Sequence, residues 1–457
     1  PRAAPAARRR LASLRSAAVD VEAAVEGEVA SSRTTYESAF VREFVARGYM
    51  AQCTDMDALD EKMAAGPVAA YLGFDATADS LHVGSLLQIM ILRLLQRTGH
   101  LPIVLVGGGT TKVGDPTGKD EARRILDEAT IAANIAGISS VFDKFLSFEA
   151  TPEVPNAARL VNNNDWLGEL NYLDFLRDYG KHFSVNRMLS FESVKQRLQR
   201  EQPLSFLEFN YMILQAYDFL ELARRHGAAL QLGGSDQWGN IVSGVELGRR
   251  VDGLKLIGLT APLIATADGK KMGKTADGAV WLSPERLSAY EYWQFWRNAA
   301  DADVERFLKL FTELPLADVS KLTDGVEGAG LNAVKRVLAD EATKLLHGAE
   351  ALPGIHAAVD ALFSGGAGAA ADASMPRLNV AAADFDAAGL IKVVDLLIRC
   401  DFAKSKGDAR RLVEGGGARV DDVKIDDIDA QISKVTFEAG QVKLSAGKKR
   451  HAIVELA

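Results

Sequence analysis

The sequence predicts an α/β fold built on a doubly wound parallel sheet, followed by an α-helical region and a small α+β tail. Short apolar runs at Val68–Phe74 and Leu101–Val106 have the composition of strands buried on both faces. A helical apolar pattern from Leu86 to Leu95 separates them, and Gly99 ends it, which predicts a strand–helix–strand unit. Strands and helices alternate up to about Thr260, so we expect a ligand crevice beyond the carboxyl ends of the strands.

Length and composition limit the class of protein. With 457 residues, of which 48% are hydrophobic, the chain can bury a large core. No apolar run approaches the roughly 20 residues of a membrane-spanning helix. The two cysteines, Cys53 and Cys400, offer neither a disulfide framework nor a paired-cysteine zinc site, and they favour a reducing compartment. The net charge of −8 argues against an overall basic protein but permits a local basic face.

The first nineteen residues differ from the rest of the chain. Five arginines lie there among alanine and serine, and no acidic residue precedes Asp20. This composition is typical of an organellar transit peptide, and a disordered basic tail is the alternative. We therefore expect residues 1–35 to be a targeting segment, with the protein in the mitochondrial matrix, the chloroplast stroma or both.

The most informative stretch, Tyr71–Ser85, follows the first predicted strand and enters the first helix of the sheet. Because His82 and Gly84 fall where that helix begins, we expect open backbone N–H groups and the positive end of the helix dipole to face an anion there. Gly84 would let a ligand approach the backbone, and His82 can donate to a phosphate oxygen. An ordinary capped helix start is the alternative, so the motif needs a partner.

That partner is Gly269-Lys-Lys-Met-Gly-Lys-Thr275, a basic loop flanked by glycine. A second glycine-rich stretch, Gly107–Lys119, fits neither common nucleotide motif. It fails as a P-loop because Asp115 stands where lysine is required, and as a dinucleotide motif because Lys112 occupies the third glycine position. An ordinary NAD enzyme or ATPase is therefore disfavoured.

The remaining elements are predicted from periodicity and turn residues. Helical patterns are predicted over Thr35–Met63 with a break at Gly48, over 120–148, over Leu204–Phe219, over 283–363, and as two helices over Leu390–Leu412. Leu160–Trp166 predicts a strand and its turn. Ala229–Trp238 predicts a strand, a glycine turn and a helix start with Ser235 as the N-cap. The small residues of 364–374 predict a linker.

The two motifs, His82-Val-Gly-Ser85 and Lys271-Met-Gly-Lys-Thr275, resemble in this order the two signatures of class I aminoacyl-tRNA synthetases. From about Tyr36 to its end the chain resembles the bacterial-type tyrosyl-tRNA synthetases. The resemblance implies a ligase that makes tyrosyl-adenylate from tyrosine and ATP and passes the tyrosyl group to tRNA(Tyr). It also implies a homodimer, with Mg²⁺ as the counterion of ATP and no protein-bound metal or organic cofactor.

The resemblance assigns the ATP-binding and catalytic residues. The catalytic set is His82, Gly84, Lys271, Lys274 and Thr275. The ATP-binding set adds Thr77, Ser85, Lys119, Arg123, Gly234 and Asp236. Ser85 departs from the frequent second histidine of the first signature. Because the tyrosine carboxylate is itself the nucleophile, positioning and charge stabilisation carry the rate and no general base is required.

The resemblance also assigns the amino-acid site. The tyrosine-binding set is Tyr71, Gly73, Asp75, Asp115, Asn163, Tyr211, Gln215, Asp218, Gln231 and Gln237. Tyr71 and Asp218 would bind the phenol hydroxyl. The α-ammonium would be bound by Asp115, Tyr211 and Gln215, with Gln237 near the carboxylate. Tyr211, Gln215 and Asp218 share one helix face by their spacing, for which a solvated helix edge is the alternative.

The resemblance implies a domain order. We expect a catalytic sheet domain at 36–262, the signature loop and a linker at 263–289, an α-helical anticodon-binding domain at 290–363, a linker at 364–384 and an RNA-binding domain at 385–457. In the last domain the residues expected to meet tRNA phosphates are Lys404, Lys406, Arg410 and Arg411. Aspartates in the same domain favour the alternative of a solvated charged face.

Three rival functions are disfavoured by particular residues. A tryptophanyl-tRNA synthetase is disfavoured because an indole has no phenol hydroxyl for Tyr71 and Asp218. A catalytically retired synthetase that acts as an RNA-binding or splicing factor is disfavoured by the intact His82, Lys271, Lys274 and Asp236. An adenylate-forming nucleotidyltransferase without tRNA is disfavoured by the basic tail.

Overall fold

The computed structural model describes residues 35–117, 125–267, 269, 272–275, 278–364, 375–438, 440–447 and 450–456. These residues divide into two compact units. The first unit contains the described residues up to Asp79 together with Gln88–Ser139 and Leu146–Leu263. The second contains Ser80–Leu87, Ser140–Phe145 and the chain from Ile264 onward. Residues 1–34 of the predicted targeting segment lie outside the described residues.

The first unit is built on a six-stranded sheet. Its strands are β1 (Gln52–Cys53), β2 (Ala69–Phe74), β3 (Leu101–Val106), β4 (Arg159–Asn162), β5 (Ala228–Gly234) and β6 (Ile257–Ala261), in the order β1-β6-β5-β2-β3-β4. All neighbours are parallel except β1 and β6. The predicted doubly wound parallel sheet is confirmed. The chain passes from β2 through β3 to β4 and then returns to the other side of β2 with β5, so the strand order reverses between β2 and β5, where such sheets bind ligands.

The longest helix of this unit, Phe206–His226, has clear sequence signals at both ends. Ser205 and Glu208 form a reciprocal capping box at its start, and Gly227 ends it with a φ of 68°. It extends past the predicted end at Phe219. The other helices that belong wholly or mainly to this unit are Ala39–Ala46, Met56–Ala65, Val83–Arg97, Glu128–Phe142, Asn164–Leu167, Tyr172–Asp178, Val185–Ser190, Glu192–Gln199 and Trp238–Asp252.

Two local predictions in this unit are wrong. The stretch predicted as helical over Thr35–Met63 contains strand β1, because Gln52 and Cys53 pair with the edge of the sheet at β6. Ser235 is not an N-cap. Strand β5 runs to Gly234, which is itself the extended residue before a 3-10 turn over Ser235–Gln237, and no side chain caps that turn.

The second unit contains a helical region after the short hairpin of β7 (Lys274–Thr275) and β8 (Gly278–Ala279). Its helices are Ala289–Arg297, Val304–Phe311, Leu316–Thr323, Leu331–His347 and Leu352–Ser364. Trp293 and Trp296 are fully buried, and the Trp296 ring packs edge-on against Phe307 at 5.9 Å between centroids. The aromatic residues of the first of these helices therefore serve packing.

The tail of the second unit is α+β. Strands β9 (Arg377–Val380), β11 (Ala418–Val420), β12 (Val423–Lys424), β14 (Val442–Ala446) and β15 (Arg450–Leu456) form a sheet in the order β12-β11-β14-β15-β9, while β10 (Leu390–Lys392) pairs with β13 (Gln431–Ser433). The helices are Val393–Arg399, Lys406–Glu414 and Lys434–Glu438. The prediction of two helices over Leu390–Leu412 is correct except at its start, because Leu390–Lys392 is a strand. Over the whole described part of the chain, no helix is long and apolar enough to cross a membrane.

Candidate functional site

Two polar side chains lie side by side at the point where the strand order reverses. Tyr71 on β2 is in register with Gln231 on β5, and the two residues are 1% and 2% exposed. Within the described residues, neither the Tyr71 hydroxyl nor Gln231 Oε1 has a hydrogen-bond partner. Leaving one such buried group unpaired costs about 1–3 kcal/mol. Two of them on adjacent central strands therefore indicate the site of a polar ligand.

Asp218 is held beside them by two donors. Asn163 Nδ2 donates to Asp218 Oδ2 at 2.9 Å, and Trp166 Nε1 donates to Oδ1 at 2.7 Å. Burial raises the pKa of the Asp218 carboxyl to about 7, although these two hydrogen bonds oppose the shift. Burial and the nearby charge of Asp218 raise the pKa of the Tyr71 hydroxyl. Tyr71 is thus a neutral donor and Asp218 an acceptor with remaining lone pairs, the complement of a hydroxyl group.

A hydrogen-bonded chain fixes the surroundings of Asp218. Tyr211 donates its hydroxyl proton to Asp75 Oδ2 at 2.9 Å, and Thr110 Oγ1 donates to Asp75 Oδ1 at 2.8 Å. Asn163 Nδ2 in turn donates to Thr110 Oγ1 at 2.9 Å. These residues come from the carboxyl ends of β2, β3 and β4 and from helix Phe206–His226, so one network joins four elements.

Glycine is needed where this chain passes the β3 turn. A Cβ atom added to Gly107 would lie 2.2 Å from Asp75 Oδ1 and 2.5 Å from Thr110 Oγ1. Any larger residue would therefore displace the Asp75 carboxylate. This close approach explains Gly107, the first glycine of the stretch that fails both nucleotide motifs.

A second polar group lies in the same unit. Asp115 Oδ2 accepts from Gln237 Nε2 at 2.8 Å, and Asn240 Nδ2 donates to Gln215 Oε1 at 2.9 Å and to Gln237 Oε1 at 3.1 Å. Gln215 is four residues after Tyr211 on the same helix, and Asp218 follows at seven. The helical rise puts Tyr211 and Asp218 about 10 Å apart along the axis. One helix thus presents the Tyr211 hydroxyl oxygen and the Asp218 carboxylate at two ends of a site of small-ligand size, with the Gln215 amide between them.

Three other predicted positions in this unit border open space. Gly73 is exposed although it lies in central strand β2, and Thr77 and Asp236 are also exposed. A Cβ atom added to Gly234 would lie 2.6 Å from Asp236 Oδ1, so a larger residue there would displace that carboxylate. Lys119 and Arg123 lie outside the described residues.

In the second unit, the turn at His82 differs from the prediction of open N–H groups. Val83 N–H donates to Val280 O at 2.9 Å, Gly84 N–H to His82 Nδ1 at 3.0 Å, and Ser85 N–H to His82 O at 2.8 Å. The prediction is wrong for these three groups, because the turn closes on its own histidine and on the segment after the basic loop. Since Nδ1 accepts, a neutral His82 ring carries its proton on Nε2, which is then a donor.

The basic loop meets this turn through glycine. Gly273 has a φ of +91°, and a Cβ atom added there would lie 2.8 Å from Gly84 N and 2.9 Å from His82 Nδ1. Met272 beside it is buried, and Val280 N–H donates to Gly273 O at 3.1 Å. The two sequence motifs therefore touch each other at the backbone. Lys271 lies outside the described residues, and of Lys274 and Thr275 the structure describes only the backbone, as strand β7.

An aromatic side chain supports the His82 ring. Trp281 forms an isolated antiparallel bridge with His82, and the two rings pack edge-on with 6.2 Å between centroids. The Arg286 guanidinium lies over the Trp281 ring at 4.1 Å. This stack orients the imidazole from the side of the chain that follows the basic loop.

The predicted RNA-binding residues of the tail already have acidic neighbours. Lys406 Nζ lies 3.1 Å from Asp395 Oδ1, and Arg411 Nη2 lies 3.1 Å from Asp408 Oδ1. Lys404 and Arg410 are also exposed. Such exposed pairs are worth about 0–1 kcal/mol each, so a phosphate can compete for the same cations.

Sequence reasoning missed several residues of these networks. They are Trp166, Thr110, Asn240, Trp281 and Gln88, whose buried Oε1 is without a partner among the described residues and whose side chain lies near Gly234. The available signal was position, since Thr110 and Trp166 follow the carboxyl ends of β3 and β4, where a crevice was expected. No group of three or more histidine, cysteine or acidic side chains that could hold a metal ion occurs among the residues described.

This geometry agrees with the similarities of the chain to known proteins. A family model described as tRNA synthetases class I (W and Y) matches residues 63–364. The tyrosine–tRNA ligase of Rhodospirillum rubrum is 57% identical over 424 residues, which cover 93% of this chain and 99% of that protein. The tyrosine–tRNA ligase of Caulobacter vibrioides is 56% identical over 425 residues, with 93% and 99% covered.

A solved structure shares the fold. A C-terminally truncated mitochondrial tyrosyl-tRNA synthetase of Aspergillus nidulans superposes with a TM-score of 0.63 at 30% identity, covering 73% of this chain and 95% of that chain. The chain belongs to the class I tRNA synthetases of the W and Y group, and within that group to the tyrosine–tRNA ligase family of bacterial type.

Proposed function

We propose that this protein is a tyrosine–tRNA ligase that activates tyrosine with ATP and passes the tyrosyl group to the 3′ end of tRNA(Tyr). The observation that carries the specificity is the buried Tyr71 hydroxyl, unpartnered among the described residues, with the Asp218 carboxylate near enough to raise its pKa. A phenol hydroxyl can accept from Tyr71 and donate to Asp218. A phenyl ring can do neither and an indole cannot accept, which disfavours phenylalanine and tryptophan as substrates.

The amino-acid end of the tyrosine substrate, opposite its phenol hydroxyl, is assigned to the second set of polar side chains, around Asp115, Gln215 and Gln237. Asp115, Gln215 and the Tyr211 oxygen offer acceptors to an α-ammonium, because Tyr211 gives its own proton to Asp75. Gln237 is oriented by Asp115 and Asn240 and completes the set near the substrate carboxylate. Asn163 and Asp75 orient the residues that touch substrate, Gln231 offers its unpaired oxygen, and Gly73 leaves room for the ring.

The ATP phosphates are assigned to the two touching motifs. His82 would donate from Nε2 to the α-phosphate, where Gly84 and Ser85 allow close approach, and Lys271, Lys274 and Thr275 would stabilise the leaving pyrophosphate with Mg²⁺ as its counterion. A lysine ammonium suits this task because it is a compact point charge. Gly234 and Asp236 would bind the ribose, and Thr77, Lys119 and Arg123 would assist with ATP or pyrophosphate. The chain's own residues bind and orient; tyrosine supplies the nucleophile.

Tyrosine-dependent ATP–pyrophosphate exchange tests the first half of the reaction. We expect exchange with tyrosine and only background exchange with tryptophan or phenylalanine at equal concentration. Exchange supported by tryptophan would overturn the substrate assignment. Absence of exchange with every amino acid, together with retained RNA binding, would favour the rival of a retired synthetase that acts as an RNA-binding factor.

The tail is proposed as a grip on tRNA phosphates through Lys404, Lys406, Arg410 and Arg411. Replacing these four residues with alanine should leave pyrophosphate exchange unchanged and weaken tRNA charging, because all the residues assigned to ATP or tyrosine binding precede Ala276 in the sequence. The deficit should depend on salt concentration. The slope of the logarithm of tRNA affinity against the logarithm of salt concentration should become shallower by up to about 0.9 for each duplex phosphate that is no longer neutralised. Equal charging by both proteins at two salt concentrations would exclude this role.

A homodimer is proposed from the distribution of exposed apolar side chains. Within the described part of the chain, eight of the twelve large exposed hydrophobic residues fall between Leu160 and Leu207, and β4 in this stretch is an edge strand of the sheet. Leu173 and Phe206 are 73% and 68% exposed. Covering such residues with a second copy would remove their apolar surface from water. Sedimentation should show a dimer that Leu173→Asp with Phe206→Asp dissociates, whereas Val423→Asp in the tail should not.

An organellar location is proposed from the arginine-rich, acid-free first nineteen residues. A fluorescent protein fused behind residues 1–35 should enter mitochondria, plastids or both. The same fusion with the five arginines of the first nineteen residues changed to glutamine should stay in the cytosol. Cytosolic fluorescence from the unchanged segment would exclude targeting by these residues.

A further inference from the structure

The chain that leads into the second signature is a closed loop. Met272 N–H donates to Ile264 O at 3.1 Å, which joins its two ends, and Gly269 N–H donates to Thr266 O at 2.8 Å in a turn where Gly269 has a φ of +80°. These backbone bonds define the shape of the loop's ends. They do not fix its position against the rest of the second unit.

Two side chains from the helical region supply that position. Asp303 ends a 3-10 turn directly before helix Val304–Phe311, and its side chain is 3% exposed. Asp303 Oδ2 accepts from Ala267 N–H at 2.8 Å. Arg306 Nη2 donates to Asp303 Oδ1 at 2.6 Å and also to the carbonyl oxygen of Ala265.

Asp303 and Arg306 therefore bind the loop backbone with one acceptor and one donor. The carboxylate takes an N–H group and the guanidinium takes a C=O group, two residues apart on the same stretch of chain. Both recognised residues are alanine, so no polar side chain competes for the contact. Hydrogen bonds to ionised groups are roughly twice as strong as neutral ones, so this contact anchors the start of the loop to the helical region.

The other end of the segment is held at the first signature. Gly273, one residue after the bond that closes the loop, packs on Gly84 N and His82 Nδ1. Lys271 and Lys274 lie between or beside these two points of attachment in the sequence. A shift of about 1 Å in a positioned catalytic group can cost about a hundredfold in rate, so the register of this segment controls the reaction.

We propose that Asp303 and Arg306 are positioning residues for adenylate formation, which set the register of the second signature without touching substrate. The inference rests on the proposed role of Lys271 and Lys274 at the pyrophosphate. It gives the helical region a function in the first, tRNA-independent half-reaction.

The test compares Asp303→Asn and Arg306→Lys with Lys321→Ala in the full chain. Asp303→Asn keeps the volume and loses the charge, and Arg306→Lys keeps the charge and loses the forked geometry. Lys321→Ala removes an exposed ion pair, Lys321 with Asp318 at 2.8 Å, from the helix Leu316–Thr323 and serves as the matched control. For each protein the measurements are kcat and KM for ATP in pyrophosphate exchange, the Kd for tyrosine, and the melting temperature.

We expect Asp303→Asn to lower kcat/KM for ATP by about ten- to a hundredfold, with Arg306→Lys intermediate and the control unchanged. The tyrosine Kd should change less than about twofold in all three. An unchanged kcat/KM for ATP in Asp303→Asn would overturn the inference, and so would a loss of tyrosine binding parallel to a fall in melting temperature, since that pattern is expected of a general structural role.

A readout that does not depend on activity completes the test. Trypsin cleavage within Lys270–Lys274, located by mass spectrometry, should be faster in Asp303→Asn and Arg306→Lys than in the control. Equal cleavage rates would contradict the positioning role. If Lys271→Ala and Lys274→Ala leave adenylate formation intact, the proposed function of the signature fails; if they impair it while Asp303→Asn does not, only this inference fails.

Discussion

The proposed tyrosine pocket and the signature pair are held together by different kinds of contact. In the pocket, side chains bond side chains, as in the chain from Tyr211 through Asp75, Thr110 and Asn163 to Asp218. At the signature pair, backbone bonds backbone, and glycines at 84 and 273 bring the two motifs into contact. In the proposed function the pocket recognises a neutral hydroxyl and so needs fixed donors and acceptors. The signature pair would meet a charge that develops during the reaction, so it needs close approach and cations.

This difference predicts that changes in the two regions alter different constants. Lys274→Ala should slow tyrosyl-adenylate formation by about a hundredfold, because one contact to a developing charge is worth about 3 kcal/mol. The tyrosine Kd should stay within about twofold. Rapid-quench measurement of adenylate at saturating substrates gives the rate, and a normal rate would remove Lys274 from the catalytic set.

In the pocket, Asp218→Ala should weaken tyrosine binding by an amount matching about 1.5–3 kcal/mol, the usual range for a hydrogen bond to a charged group. It also leaves the Asn163 amide and the Trp166 indole without their acceptor, so the melting temperature should fall as well. Equilibrium dialysis with labelled tyrosine measures the change in affinity. The control is Asp165→Ala, which changes an acidic residue adjacent to Trp166 in sequence but outside the network. This variant should bind tyrosine normally.

Tyr71→Phe should have a smaller effect, about 0.5–1.5 kcal/mol, because it removes a neutral donor. The ratio of kcat/KM for tyrosine to that for phenylalanine should fall in proportion. The variant also removes a buried hydroxyl that lacks a partner among the described residues, so the unliganded protein should be at least as stable as before. An unchanged tyrosine-to-phenylalanine ratio would place the hydroxyl site elsewhere.

A change of pH should alter tyrosine affinity by less than either substitution. Burial raises the pKa of Asp218 to about 7, and in the proposed function the substrate hydroxyl donates to the ionised form. Affinity should therefore fall by about threefold on going from about pH 7.5 to about pH 6.5. The free energy of unfolding of the unliganded protein should change with pH in the opposite direction. A carboxyl group whose pKa is raised in the folded state contributes stability that is fully present below its unfolded pKa, and this contribution is lost as the pH rises toward about 7. Asp218→Asn should flatten both curves.

Local sequence patterns predicted the sheet well, but they could not show which side chains of the site bond to one another. Strands β2 and β3 are continuous apolar runs ended by glycine or aspartate, so local composition determines them within a residue or so. The partners of Asp218 are Asn163 and Trp166, which lie 55 and 52 residues away along the chain. No local pattern links such positions, and only the parallel arrangement of strand ends brings them together.

At the helix start at His82, the sequence identified the residues but not the state of their backbone N–H groups. Its glycine and histidine were recognised, but the prediction of open N–H groups ignored the segment around Val280 and Gly273, which is distant in sequence and takes up Val83 N–H. Similarly, Ser235 has the residue type of an N-cap, but strand β5 extends to Gly234 and leaves it inside the turn. In both cases the residue type suggested a local structure, and contacts with residues distant in sequence determined the structure that forms.

Measuring the tyrosine Kd and the forward rate of adenylate formation separately in Asp218→Ala and Lys274→Ala tests the division between the two regions most directly. Single-turnover kinetics over a range of tyrosine concentrations yields both constants from one data set. We predict that Asp218→Ala raises the Kd while the rate at saturating tyrosine stays within a few-fold, and that Lys274→Ala lowers the rate about a hundredfold at an unchanged Kd. Both variants changing the same constant would contradict this division.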